Sequence, residues 1–235
     1  MRQSIADRAI RRPLPEWRFL QLTLFMGVWM LVSSSFQQRW IVHALLHIML
    51  LNCLLVTLWA NPQWARARRV ILGLWLLSLT ASALPYLGLP QEWRQAGRSA
   101  ELASLVPVLA ACAAGILLFV FRSGRLTADG LFATVAAYLL IAFIFAQLYL
   151  LAITWAPDCF QLPVPADQRS PQGLQSDMVY FSLVTLATVG CGGILPTGDT
   201  ARDVTGIQSD CLRRCSVGVW PVRRRKQRSK LATSP

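Results

Sequence analysis

The chain has 235 residues, of which 54% are hydrophobic and only 14% charged, and its net charge is +12 with a positive mean hydropathy. That balance is too apolar for an ordinary soluble domain of this length and points to a membrane protein. Ser-His-Asp, Walker-type and dinucleotide fingerprints in their required context are missing, which argues against an enzyme.

Residues 1–18 form a basic leader with Arg2, Arg8, Arg11, Arg12 and Arg18. The apolar run behind it exceeds the core of a secretory signal, about 7–15 residues, and no Ala-x-Ala site closes it, so a retained anchor is expected. Five stretches then lack Asp, Glu, Lys and Arg: Phe19 to Phe36, Ile41 to Ala60, Val70 to Leu89, Leu102 to Phe121 and Gly130 to Ala156. Each reaches the roughly 18 apolar residues that cross a bilayer as a helix, because only a helix satisfies its own backbone groups in lipid. The expectation is an all-α membrane protein with four spanning helices over 19–121 and a fifth from 130.

Positive residues accumulate on the cytoplasmic side. The leader, the loop with Arg66, Arg68 and Arg69, and the turn with Arg122 and Arg125 alternate with poorer loops, which places the N-terminus inside and Ala156 outside. A loop with Arg94 and Arg98, offset by Glu92 and Glu101, precedes the fourth span. No span contains the repeated Arg of a voltage sensor. His43 and His47 share a helix face, and packed neutral histidines are expected rather than metal ligands. Gln147 is expected to bond to a neighbouring helix. Trp40, Trp93 and Trp155 lie near span ends, as interfacial anchors do. The six cysteines lack zinc-type spacing, so no metal–cysteine site is expected.

After the fifth span, "PDCFQLPVPADQRSPQGLQSD" reads as a Pro-studded surface loop with Asp158, Asp167 and Asp177 against Arg169. Next comes "SDMVYFSLVTLATVG". Ser176 is placed to cap a helix with Asp177 at its positive end, and the apolar run Met178 to Leu186 is too short to cross about 30 Å of hydrocarbon. A re-entrant helix ending at glycines follows, since non-helical backbone at membrane depth must be buried or line a water-filled path.

The stretch "DMVYFSLVTLATVGCGGILPTGDTAR" resembles the pore loop of the potassium channel family, whose signature is Thr-Val-Gly-Tyr-Gly-Asp behind a short pore helix. The resemblance implies a passive potassium pore built by four subunits, with filter carbonyls from Thr188, Val189, Gly190, Cys191 and Gly192 and with Thr185 facing the cavity. It implies no cofactor beyond the permeating K+. Cys191 replaces the family's aromatic residue and Gly193 its acidic one, which bears on rigidity and selectivity more than on carbonyl chemistry.

The partial pore domain spans 130–202. The family's inner helix does not follow, because residues 203–235 form a basic tail, expected to be disordered, with Arg213 and Arg214 in its longest semi-apolar piece. Each of those two would cost about 2.5–3.5 kcal/mol at mid-bilayer. The tail holds eight Lys or Arg against Asp203 and Asp210, half of the chain's net charge of +12, on the outer side where the orientation rule disfavours it. A frameshifted or truncated gene is the expectation, with a lipid-binding or nucleic-acid-binding basic tail as its rival. The alternative function is a non-conducting membrane protein, either a truncated product or a subunit that modulates complete channels.

Overall fold

The computed structural model describes residues 18–35, 39–60, 65–83, 90–123, 128–164, 168–190, 193–211 and 213. It is mostly helical. The helices are α1 (Arg18–Ser35), α2 (Arg39–Ala60), α3 (Ala65–Ala83), α4 (Gln91–Ser123), α5 (Ala128–Trp155), α6 (Pro171–Leu186) and α7 (199–211). A 3-10 turn (Pro157–Cys159) follows α5, and two short strands, β1 (Phe160–Gln161) and β2 (Leu195–Pro196), pair antiparallel. Among the described residues, two helical stretches are long and apolar enough to cross a membrane, Ala96–Phe121 within α4 and Ala128–Trp155, which is α5 itself.

Helix α5 is the hub and packs against α4, α1 and α6. Its sequence explains this, because Ala133, Ala136, Ala137, Ala142 and Ala146 are all buried and let neighbouring backbones come close. The larger Phe143, Tyr149 and Leu150 fill the gaps between them, and Trp29 of α1 meets Phe143 edge-on at 4.9 Å.

One cavity shows how the helices run. It is lined from the start of α2 (His43), the end of α3 (Ser82), the start of α4 (Glu101), the later part of α5 (Gln147) and the first turn of α6 (Gln172). The starts of α2, α4 and α6 therefore share one end of the bundle with the ends of α3 and α5. Trp93 and Trp155, at that same end, are both exposed, while the Trp40 side chain lies outside the described residues.

Several boundaries differ from the sequence reading. The charged stretch before Leu102, expected as a loop, is the first three turns of α4: Glu92, Arg94, Arg98 and Glu101 sit among residues most of which favour helix, and Gly97 is tolerated within it. The stretch expected as a third span, Val70 to Leu89, is helical as far as Ala83, and residues 84–89 lie outside the described residues. The Pro-studded loop contributes both β1 and the first turns of α6. Residues 203–211 of the expected disordered tail continue a helix instead of a coil.

Candidate functional site: a helix that stops at mid-depth

Helix α6 begins six residues before the expected cap. Ser170 is the N-cap: its backbone is extended, its Oγ accepts from the Gly173 N–H at 3.1 Å, and Pro171 follows at the first helical position. This pairing won over Ser176 because Pro fixes a helical φ where no backbone donor is needed. Ser176 and Asp177 are therefore interior to α6, and Asp177 Oδ2 reaches back to Arg169 at 3.1 Å. Burial holds the Asp177 carboxyl above the ordinary carboxylate range, outweighing the downward pull of Arg169.

The depth of α6 follows from a single contact. Ser182 Oγ, near its C-terminal end, donates to Ala142 O of α5 at 2.8 Å. Ala142 lies about 20 Å along α5 from Trp155, at 1.5 Å per residue, close to the helix midpoint. The chain then returns. Leu195 and Pro196 pair with Gln161 and Phe160, just beyond the end of α5 from which α6 set out. Residues 171–190 and 193–196 thus lie on the two arms of a hairpin, helical on the way in, with a strand at Leu195–Pro196 on the way back.

At the turning point the helix closes with a C-terminal hydrogen-bond motif. Ala187 N donates to Leu183 O at 2.8 Å, Thr188 N to Thr185 O at 3.1 Å and Val189 N to Val184 O at 3.0 Å. The last two bonds are the 5→2 and 6→1 pair that needs a left-handed residue between them, and Thr188 supplies it at φ 55°. A threonine there is uncommon, since its branched Cβ crowds the backbone. Gly190 at φ 114° and Gly193 at φ 93° continue with backbone that only glycine adopts cheaply. The carbonyls of Thr188, Val189 and Gly190 accept no hydrogen bond among the described residues, and Val189 is 77% exposed.

Among the residues singled out from sequence, Thr185, Thr188, Val189 and Gly190 meet at this turning point. Cys191 and Gly192 lie outside the described residues. The hydroxyl of Thr185 donates to Phe181 O at 2.7 Å and that of Thr188 to Ala187 O at 2.7 Å, so both protons are used locally while each oxygen keeps acceptor capacity.

The return strand is stapled to the end of α5. Cys159 O accepts from both Thr197 N and Gly198 N at 3.0 Å, and the Thr197 hydroxyl donates to Asp158 O at 3.0 Å. Burial pushes the Cys159 thiol above its ordinary range. Beneath the staple, Tyr149, Phe160 and Phe181 form an edge-to-face triangle with centroids 5.1 to 5.4 Å apart, joining α5, β1 and α6.

Helix α7 starts at this staple and runs back along the hairpin. Its buried or half-buried positions are Ala201, Val204, Thr205, Gln208 and Cys211, with Ile207 turned outward. Gln208 is fully buried: Nε2 donates to Ser182 O at 2.9 Å and to Ser182 Oγ at 2.8 Å, and Oε1 accepts from the Tyr149 hydroxyl. The sequence reading passed over Gln208, Ser182 and Tyr149. The signal was present as 201, 204, 208, 211, the spacing of one helix face, but a polar residue at its centre hid it.

Near the first turn of α6 lies the cavity of about 270 Å³, lined from α2, α3, α4, α5 and α6. His43 Nδ1 lies 3.1 Å from the buried Glu101 carboxylate, and the His47 ring nitrogen Nε2 lies 3.3 Å from Ser82 Oγ. The histidines are thus partnered by an acid and a hydroxyl, not only packed. Gln147 is buried beside this space. No protein-family model, curated protein or solved structure matches the chain.

Proposed function

We propose that the chain is a subunit of a passive cation pore, of the potassium-channel kind, in which residues 188–192 offer backbone carbonyls to a dehydrated ion. The observation that supports this reading best is the exposed run Thr188 to Gly190. Its carbonyls are unengaged among the described residues, at the point where a helix halts halfway along its neighbour. A filter has to strip water without holding the ion too tightly, and successive backbone oxygens do this. The C-terminal end of α6 aims its partial negative charge toward the same place.

In this reading α1 to α5 cross the inner membrane of a bacterial cell, with the N-terminus cytoplasmic, and α6 re-enters from the outer side. One loop cannot ring an ion, so four subunits share an axis, either four copies of this chain or copies mixed with complete channel subunits. Helix α7 occupies the place after the filter where the resemblance implies an inner helix. The apolar stretches of α1 to α5, from Phe19, Ile41, Val70, Leu102 and Gly130, carry no Arg, and this reading assigns no voltage sensor. The protein has no enzymatic role and needs no cofactor other than the K+ it passes.

The second reading, a non-conducting membrane protein, draws on the basic residues from Arg213 onward, which would oppose continuation of α7 through the bilayer. Growth of a potassium-uptake-deficient cell at low K+ separates the two. Rescue by the chain, lost on Gly190→Pro, supports a pore. Absence of rescue until an apolar segment replaces residues 212–235 supports the non-conducting reading.

A further inference from the structure

We propose that Gln208 is a positioning residue for the turning point at Thr188 to Gly190, and that α7 is a working part of the pore unit. The geometry of this inference stands by itself; its consequence for ion passage rests on the pore reading.

The carboxamide of Gln208 has two N–H donors and one acceptor oxygen engaged. Both donors go to one residue of α6, Ser182, and the oxygen accepts from Tyr149 of α5. Ser182 in turn donates to Ala142 O, also on α5. Gln208, Ser182 and Tyr149 are all fully buried. The four residues tie three helices together around Ser182, one helical turn before Leu186, where α6 ends.

Hydrogen bonds act here where apolar packing alone would not. A face of Ala, Val and Cys can slide along a neighbour by an ångström at little cost, whereas a donor pair held on both the carbonyl and the hydroxyl of one residue fixes translation and rotation together. Nothing else among the described residues bonds the C-terminal half of α6 to another helix except this cluster. The helix end and the carbonyls beyond it are therefore held in place by the Ser182–Ala142 bond together with Gln208, which braces Ser182 from the other side.

The test compares wild type with Gln208→Leu, which keeps the size and removes the amide, and with Tyr149→Phe, which removes the bond to Gln208 Oε1 and leaves the Gln208–Ser182 bonds in place. Hydrogen–deuterium exchange on the full chain in lipid nanodiscs reads the 183–190 amides against those of α4 as an internal standard. The expectation is exchange over 183–190 faster by about tenfold or more in Gln208→Leu and by less in Tyr149→Phe, with α4 unchanged. Equal protection over 183–190 in wild type and both variants overturns the proposal. If Gln208→Leu does not fold, the Tyr149→Phe comparison decides alone.

A second arm measures the ratio of K+ to Na+ flux into liposomes. A ratio that falls in Gln208→Leu while total flux persists supports a positioning role that bulk stability does not explain, and an unchanged ratio overturns the functional half. If wild type passes neither ion, the pore reading fails, and the exchange result still decides whether Gln208 positions the hairpin.

Discussion

Gly198 lies so close to Cys159 that a Cβ on the glycine would sit 2.9 Å from the Cys159 Cβ and 3.0 Å from its Cα. This contact joins the return strand to the end of α5. It also starts α7, because Gly198 O accepts from Arg202 N at 3.0 Å.

Gly198→Ala is therefore expected to destabilise the protein by about 1–3 kcal/mol, as overpacking against backbone does. The labelling rate of the Cys159 thiol, which burial both shields and pushes up, gives a local readout. Maleimide at neutral pH should label Cys159 slowly in wild type and distinctly faster in Gly198→Ala. Equal labelling and equal melting temperatures would show that the contact is slack.

Gly190 poses a different constraint. Nothing lies within 4 Å of the place its Cβ would take, yet its φ of 114° is one that side chains rarely adopt. Gly190→Ala should store about 1–3 kcal/mol of local strain. The exposed loop relieves it by turning its carbonyls, so global melting changes little while flux falls by about tenfold or more, the penalty such misplacement carries. Thr188→Gly is the counterpart: it relaxes the left-handed position at φ 55° and so should not lower stability. Undiminished flux in liposomes bearing Gly190→Ala would remove the reason for a glycine there.

The Arg169–Asp177 pair makes a prediction about pH. The folded-state pKa of Asp177 is raised above the ordinary 3.8, so between those two values the folded protein binds more protons than the unfolded chain. Stability from this group is present at low pH and is lost as pH rises through the folded value. Asp177→Asn should flatten the fall in melting temperature across that window, and Arg169→Gln should steepen it by removing the cation that opposes the shift. Parallel pH profiles for wild type and Asp177→Asn would contradict the assignment.

The His43–Glu101 pair holds α2 to α4 beside the cavity. Removing His43 leaves the Glu101 carboxylate, only 7% exposed, without this partner, whereas Glu101→Gln removes the charge itself. Because His43 is one-third exposed, His43→Ala should cost roughly 1–3 kcal/mol, less than a fully buried pair, and Glu101→Gln should cost less than that. A double-mutant cycle by denaturant unfolding in detergent checks the coupling, and additive single effects would mean the pair contributes nothing.

Much of the helical content was legible from residue type alone. Apolar runs without charge can satisfy their backbone only as helices in lipid or in a helical core, so α1 to α5 appear near their expected places. The end of α6 was legible too, since the Thr188–Gly190 stretch marks where regular backbone stops. The start of α6 lies earlier than Ser176 because Ser170 caps the helix and Pro171 fixes a helical φ at its first position, a local geometry that apolar patterning does not register. The first turns of α4 were taken for a loop because charge there was scored as solvent exposure, whereas Glu101 is buried beside His43.

By itself the sequence determined which segments are apolar helices, where the backbone must be free to turn, and which few residues could present carbonyls there; these follow from chemistry within about ten neighbours. Only the tertiary structure decided that α6 stops beside Ala142, that Gly198 closes against Cys159, and that Gln208 of a segment read as a tail clasps Ser182 and Tyr149. Those pairings join residues 26 to 59 positions apart in the chain, and one of them needs a side chain's absence to admit another residue's backbone. No local periodicity records them, because the free energy that selects such partners exists only once the helices are packed.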